Sequence, residues 1–457
     1  MYEINFGKPE HVHFIGIGGI SMSGLAEVLL DAGFHVSGSD NKESELTKRL
    51  SEKGADITIG QKAENIRLPL DCIVYTAAIH PDNPEFVAAV ESKVPMLTRA
   101  QLLGQIMRNY ETPIAVAGTH GKTTTTSMLA QVFLSAGLDP TVSVGGILPA
   151  IGGNIRVGSS GTFVTEACEY TNSFLSFFPK IALILNVEED HMDFFKDLDD
   201  IANSFNRFAR LVPEDGTVII CKENSCFDKV TNGVKGALIT YSLTSDADYT
   251  ASDISFDEYG CGSFTCLERG TSLGSFALKV PGMHNISNAL AVIACSRTLG
   301  LEPDVIRQGF DAFTGAERRF EYKGTYNEAV IIDDYAHHPS EIRATLNAAA
   351  NYPHKKLIVA FQPHTYTRTK AFLDDFAKAL SVADQVLLAD IYAAREQNTI
   401  GISSKDLMDK INALGGNAEY LDSFEKISSN LRDSLKEGDL LITMGAGNIN
   451  EVGEDLL

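Results

Sequence analysis

The stretch AGTHGKTTTTS, residues 117–127, decides how the rest of the chain is read. It follows the strand-like TPIAVAG and leads into TTTTSMLAQVFLSAG, so a strand runs into a glycine turn and the turn into a helix. A phosphate-binding loop ordinarily has the spacing G-x-x-x-x-G-K-[ST]. Here Gly121-Lys122-Thr123 supplies its end, but Val116 stands where the first glycine is expected and the nearest glycine is Gly118. The chemistry survives the shortening. Free backbone N–H groups and the positive end of a helix dipole converge on one point. Lys122 sets a charge against β- and γ-phosphates, and the Thr123 hydroxyl is a ligand for Mg²⁺.

Outward from this loop the pattern of strand then helix repeats. Before it, HVHFIGIGG, the helix-spaced ISMSGLAEVLLDAG and HVSGSD form a βαβ run, with a later strand at CIVYTAAI; Pro113 opens a new unit. After it come the strands GTFVTEA, IALILNV and GTVIIC, then an alternating, turn-rich stretch from Gly233 to about Val280 that reads as antiparallel hairpins, then a helix in PGMHNISNALAVIACSRTLG. From TGAERRF onward, strands at AVIIDDYA, KLIVAF, QVLLADIY and DLLITMGAG alternate with helices, again a doubly wound α/β pattern. The expected fold class is α/β in three domains: residues 1–108, Rossmann-like; residues 109–315, a central mononucleotide-binding domain of the phosphate-loop type; and residues 316–457, Rossmann-like again.

Further motifs sit at strand ends, where α/β proteins form ligand sites. VTEACEY offers Glu166 or its neighbour Glu169, and NVEEDHMDF offers Glu188, Glu189, Asp190, His191 and Asp193, as donors for a metal-bound phosphate. A single carboxylate is ordinarily just solvated; the cluster beside a phosphate loop makes these candidates. In IGIGGISMSG a second glycine turn precedes a helix, with Ser21 replacing the third glycine of the dinucleotide fingerprint. Gly18 and Gly19 could take a pyrophosphate there and Asp40 a ribose, so this stretch alone admits NAD as well as another diphosphate nucleotide. DDYAHHP and FQPHTYTRT place His337, His338, His364 and Arg368 after strands, the arginine suited to a carboxylate and the histidines to proton transfer. GAERRF sets Arg318 and Arg319 at a domain boundary.

Composition bounds the function. The 60 acidic residues against 38 basic ones leave a net charge of −22, a field that repels nucleic acid. An anionic small substrate must then be met by local lysines, arginines and helix N-termini. The seven cysteines include no C-x-x-C pair and fit a reducing compartment. MYEINFGKPE does not read as a signal peptide and no apolar run approaches a membrane span, so a cytoplasmic protein without a membrane partner is expected.

Together GIGGISMSGLAEVL, AGTHGKTTTTS, NVEEDHMDF, PGMHNISNALA, GAERRF, DDYAHHP and FQPHTYTRT resemble, in order and over nearly the full length, the Mur ligase family, in which the shortened loop is normal. MSGLA, DDYAHHP and FQPH-x-YTRT point to its alanine-adding branch. The resemblance implies ATP-dependent ligation of L-alanine to the lactyl carboxylate of UDP-N-acetylmuramate through an acyl phosphate, with Mg²⁺ as cofactor and a monomer or homodimer as the working form. It implies that Gly118, Thr119, His120, Gly121, Lys122, Thr123, Thr124, Asn288, Arg319 and Asp334 bind ATP, with Asp334 on the ribose. Thr123 and Glu166 would bind one metal and His191 a second; Gly18, Gly19, Ser21, Asp40 and Arg99 would take the UDP half, and His337 and Arg368 the alanine. Two departures stand out: Thr365 occupies a position that is often basic, and SFNRFAR carries no lysine where sibling ligases place a carbamylated one, a lack shared by alanine-adding members. A ligase that reattaches a recycled tripeptide is the alternative within the family, and an NAD-binding oxidoreductase the alternative outside it.

Overall fold

The computed structural model describes residues 2–76, 78–394 and 396–457. The chain divides into two compact units, one of Met1–Val187, Asp199–Thr240 and Ala294–Leu301, the other of Glu188–Leu198, Tyr241–Ile293 and Glu302–Leu457. The architecture is three-domain α/β, with a parallel or mostly parallel sheet in each domain, as expected.

In the first unit, the N-terminal sheet runs in the order Asp56–Ile59, His35–Asp40, His11–Ile15, Cys72–Tyr75, Met96–Thr98, all parallel. The helix Ile20–Asp31 follows the first glycine turn, and it buries Met22, Leu25, Ala26, Val28 and Leu29. The second sheet of this unit orders Thr217–Cys221, Ile181–Ile184, Thr112–Ala117, Thr162–Ala167 and Thr141–Leu148 in parallel, with Gly153–Arg156 antiparallel at its edge. The register aligns Val116 with Glu166, and Ala117 with both Ala167 and Ile184. The phosphate loop and VTEACEY therefore leave the sheet at the same edge. The expected strand IALILNV stops at Ile184, because the backbone beyond it turns to serve the loop: Thr119 N–H donates to the Asn186 carbonyl.

In the second unit, the turn-rich stretch forms the antiparallel strands Tyr249–Phe256, Cys261–Glu268 and Thr271–Pro281. The other sheet of this unit orders Glu321–Tyr326, Ala329–Asp334, Leu440–Met444, Leu357–Phe361, Gln385–Leu388 and Ala418–Tyr420. The first of these, antiparallel to its neighbour, was not foreseen from sequence; Glu321, Lys323 and Thr325 interrupt any apolar run. The central strands read as unbroken apolar runs because both faces are covered. Ile332, Val359, Phe361 and Ile442 face one core with Ile342, Phe376 and Leu407 from three helices. Ile331, Ile358, Ala360 and Leu441 face the other core with Ile427, Leu431 and Val452. No helix among the described residues is long and apolar enough to cross a membrane.

Two glycines allow close packing inside the first unit. A Cβ on Gly24 would lie 2.7 Å from Ile155, and one on Gly104, in the helix Arg99–Met107, would lie 1.9 Å from the Ser176 carbonyl oxygen. The second contact is with backbone, which no rotamer change relieves. Gly104→Ala is therefore expected to lower unfolding stability by about 1–3 kcal/mol, read as a lower denaturant midpoint.

Candidate functional site

The first unit carries the phosphate loop. Gly118 and Gly121 hold φ of 152° and 84°, values that side chains rarely adopt, so the tight path depends on glycine. Gly121 caps the helix Lys122–Ser135, whose first amides point into the turn. Asn186 braces the loop from the neighbouring strand end: its Oδ1 accepts from His120 N–H at 2.7 Å and its Nδ2 donates to the His120 carbonyl at 3.1 Å. This brace is not legible in the sequence, since an asparagine in ILNV reads as a strand end.

Lys122 is folded back over its own loop, donating to the carbonyl oxygens of Gly118 and Thr119 and to Glu169 at 2.9 Å. Burial favours the neutral amine, but the charge of Glu169, its hydrogen bond and the other acidic groups nearby together outweigh burial and hold Lys122 firmly in its ammonium form. Glu166 and Glu169, left as alternatives by the sequence, thus have different partners. Glu166 turns to the strand Thr141–Leu148, where its Oε1 accepts from Gly145 N–H at 2.6 Å; a Cβ on Gly145 would fall 2.7 Å from its other oxygen. Thr123 borders the same strand, since a Cβ on Gly146 would lie 3.2 Å from its methyl group. Thr124 sits half-buried in the first turn of the helix.

The N-terminal glycine turn lies in this unit too. The Asp40 carboxylate accepts from Gly18 N–H at 2.8 Å and so fastens the turn to the second strand. Gly19 is the N-cap of Ile20–Asp31, and Ser21 is exposed on its first turn. Arg99 begins its own helix, close enough for its charge to act on Cys168.

The second unit brings a second set together. The strands ending at Asp334, Phe361 and Met444 are parallel neighbours, so the loops after them emerge at one edge. Arg368, on the helix Tyr366–Ala371, donates to Asp190 at 3.0 Å, and both side chains are nearly buried. Burial opposes ionisation of Asp190, but Arg368 and then His191 and His338 outweigh it and hold the carboxyl well below the usual range. His191, at φ 53°, follows directly and is brought to this group. His364 lies 3.2 Å from the Arg368 guanidinium, 5.6 Å between rings from His337, and stacks on Tyr392. Burial depresses the pKa of His337, whose Nδ1 meets the Tyr335 carbonyl at 3.0 Å. Asp190 was one of five acidic or imidazole candidates in NVEEDHMDF; its pairing with a residue 178 positions away was beyond sequence.

The two arginines of GAERRF divide the work. Arg318 donates to Asp333 at 2.8 Å and to the carbonyls of Gly447 and Gly445 at 2.8 and 2.7 Å, tying its loop to the last glycine turn. Arg319 lies over the Tyr335 ring and beside Asp334. Asp334 accepts from Phe320 and Ala336 N–H; burial raises its carboxyl to about 6, with Arg319 opposing. Asn288 is buried and donates to Asn285 at 3.1 Å. The expected set is therefore shared out, with Lys122, Thr123 and Glu166 in the first unit and His191, Asn288, Arg319, Asp334, His337 and Arg368 in the second.

Two outcomes follow. Arg318→Met strands Asp333, which is 1% exposed, and should lower stability by about 3 kcal/mol, with Asp333→Asn in the same chain recovering part of the loss in denaturant unfolding. Burial, then His337 and Arg368, lower His364 to about 4, so its ring should stay neutral down to about pH 5 in an NMR titration. The sign is that of a depressed histidine: its contribution is present above the ordinary value near 6.5 and is lost as pH falls toward 4.

Known proteins resemble this chain over its whole length. Residues 11–111 match the Mur ligase family catalytic domain, residues 116–296 the Mur ligase middle domain, and residues 318–447 the Mur ligase glutamate ligase domain. Curated UDP-N-acetylmuramate--L-alanine ligases from Agathobacter rectalis and Lachnospira eligens are 58% and 56% identical, each aligned over 100% of both chains. The crystal structure of UDP-N-acetylmuramate-alanine ligase MurC from Thermotoga maritima superposes with a TM-score of 0.81 at 30% identity, covering 98% of each chain. A murein peptide ligase structure from Psychrobacter arcticus gives a TM-score of 0.71 at 25% identity, with the same coverage. With a glycine-framed phosphate loop and full-length relatives at more than half identity, the chain belongs to the Mur ligase family.

Proposed function

We propose that this chain joins L-alanine to the lactyl carboxylate of UDP-N-acetylmuramate at the expense of ATP, in the cytoplasm, as a step of peptidoglycan precursor synthesis. The observation that carries the reading is the Lys122 loop, shortened yet fully framed by glycines, on a chain aligned end to end with alanine ligases. The proposed working domains are residues 1–108 for the UDP-sugar, 109–315 for ATP and 316–457 for the amino acid and part of ATP.

The lactyl carboxylate oxygen attacks the γ-phosphorus, the bond to the β–γ bridging oxygen breaks, and ADP leaves. The alanine nitrogen then attacks the acyl carbon, and the tetrahedral intermediate collapses with loss of phosphate. Such chemistry asks the protein chiefly for alignment and charge neutralisation. Lys122 and the amides of Gly118 to Thr124 neutralise the β- and γ-phosphates. Asn288, Arg319 and Asp334 hold the adenosine part. Gly18, Gly19, Ser21, Asp40 and Arg99 hold the UDP half, with Asp40 acting through the amide it already fastens. Arg368 meets the alanine carboxylate, and His337, kept neutral at pH 7 by burial, is in the state to take a proton from the amine.

Mg²⁺ fits the first unit's donors. Thr123 and Glu166 offer hard oxygens beside the Gly145–Gly146 strand, where the absent side chains leave room against the carboxylate. His191 is the proposed ligand of a second ion. When bound, Mg²⁺ supplies Lewis-acid neutralisation of phosphate oxygens.

Phosphate release from ATP with UDP-N-acetylmuramate and each of L-alanine, glycine, L-serine and an L-Ala-headed tripeptide tests the reading. Release requiring both the UDP-sugar and L-alanine is expected, with glycine and serine weaker by the about 1–3 kcal/mol that one small group confers. Release only with the tripeptide would move the assignment to a recycling ligase. Lys122→Ala should lower kcat by at least about 10²–10³-fold while UDP-sugar affinity, by calorimetry, stays nearly intact.

A further inference from the structure

An ammonium group has three protons, and the chain itself supplies acceptors for all three on Lys122: the Gly118 and Thr119 carbonyls and the Glu169 carboxylate, whose oxygens lie 2.9 and 3.3 Å away. The carbonyls belong to the phosphate loop and travel with it. Glu169 does not; it lies just beyond the strand Thr162–Ala167, and its side chain is 3% exposed. The pair is held where phosphate oxygens are expected in the proposed function.

We infer that Glu169 is a positioning residue that stands in for a phosphate oxygen on Lys122 and guards the loop against lone anions. The inference rests on the proposed ATP-binding reading of the loop. An anion arriving alone must exchange one negative partner of Lys122 for another, and it parts the nearly buried Glu169 carboxylate from the Lys122 ammonium. Breaking such a pair is unfavourable, so simple anions gain little. A metal-bound nucleoside triphosphate brings contacts to the loop amides, Thr123 and Glu166 as well, and these offset the exchange. The pair also keeps Lys122 charged and ordered over its loop before any nucleotide arrives.

The backbone supports a fixed station for Glu169. Its carbonyl accepts from Asn172 N–H at 2.9 Å, and Thr171 and Asn172 both hold left-handed φ, 54° and 58°, in the turn that follows. Two consecutive non-glycine residues in that region mark a segment whose path is set by its surroundings. The side chain is thereby aimed at the loop from a rigid turn. Glu166, three residues earlier, is instead committed to Gly145 and does not share the role.

The test is pyrophosphate binding without metal, measured by calorimetry and by competition against MgATP, in the parent chain, Glu169→Gln and Glu169→Asp. The glutamine keeps the shape and removes the charge, and it should bind pyrophosphate at least tenfold more tightly. The KM for MgATP should fall threefold or more while kcat drops less than fivefold, a split that a general loss of structure would not give. The aspartate restores the charge on a shorter arm and should return pyrophosphate affinity most of the way to the parent value. Unchanged or weaker pyrophosphate binding in a folded glutamine variant, with normal turnover in the parent, overturns the role of Glu169 alone. Should the glutamine variant not fold, Glu169→Ala takes its place as the charge-removing variant, and unchanged or weaker pyrophosphate binding there overturns the role equally. A parent chain that neither turns over ATP nor responds to Lys122→Ala would instead remove the proposed function.

Discussion

Parallel pairing obliges every strand of a sheet to finish at the same edge, and this constraint organises both units. In the first, Ala117, Ala167 and Ile184 sit in register, so the phosphate loop, the Glu166–Glu169 segment and Asn186 must emerge side by side. In the second, Asp334, Phe361 and Met444 do the same for the loops bearing His337, His364 and the last glycine turn. Apolar strands buried on two faces fix the register, and the register delivers the polar groups. Core and chemistry are thus set by one pattern, with Ile331 and Ile332 facing opposite cores in the two positions directly before the carboxylates Asp333 and Asp334.

Much of this was legible from sequence because it is local. A strand, a glycine turn and a helix are adjacent in AGTHGKTTTTS, and the propensities that form them act within a few residues. The same holds for IGIGGISMSG and for the carboxylates after AVII. What remained hidden depends on distant partners. The choice between Glu166 and Glu169 turned on Gly145 and Lys122, the function of Asn186 on the His120 backbone, and the state of Asp190 on an arginine in a different part of the chain. Arg318 and Arg319 are chemically identical neighbours, and only their partners distinguish them: Arg318 is clamped by Asp333 and the carbonyls of Gly445 and Gly447, whereas Arg319 lies over Tyr335 beside Asp334. The strand Glu321–Tyr326 escaped because its short alternation of Glu321, Lys323 and Thr325 with Tyr322, Gly324 and Tyr326 holds no aliphatic residue to mark a core face.

A ligase of this family must gather several anions: ATP, a UDP-sugar and an amino-acid carboxylate. A net charge of −22 makes the surroundings hostile to all of them. The structure answers with cations whose charge is already balanced inside the protein. Lys122 is paired with Glu169 and Arg368 with Asp190. These two positive groups are held ready rather than left as open electrostatic traps, so recognition at them falls to shape and to the number of contacts more than to attraction at long range.

The glycine at position 104 has a consequence for how the chain is taken apart. Its helix lies against the Ser176 backbone closely enough that no side chain fits between them, and Gly24 meets Ile155 almost as tightly. These contacts tie the N-terminal sheet to the segment that carries Glu169, across the point where sequence comparison ends one module and begins the next. A fragment cut near residue 111 would bare a flat, glycine-lined helix face shaped for a backbone it no longer has. Within the first unit, the N-terminal module and the part of the middle module up to Val187 form one compact body.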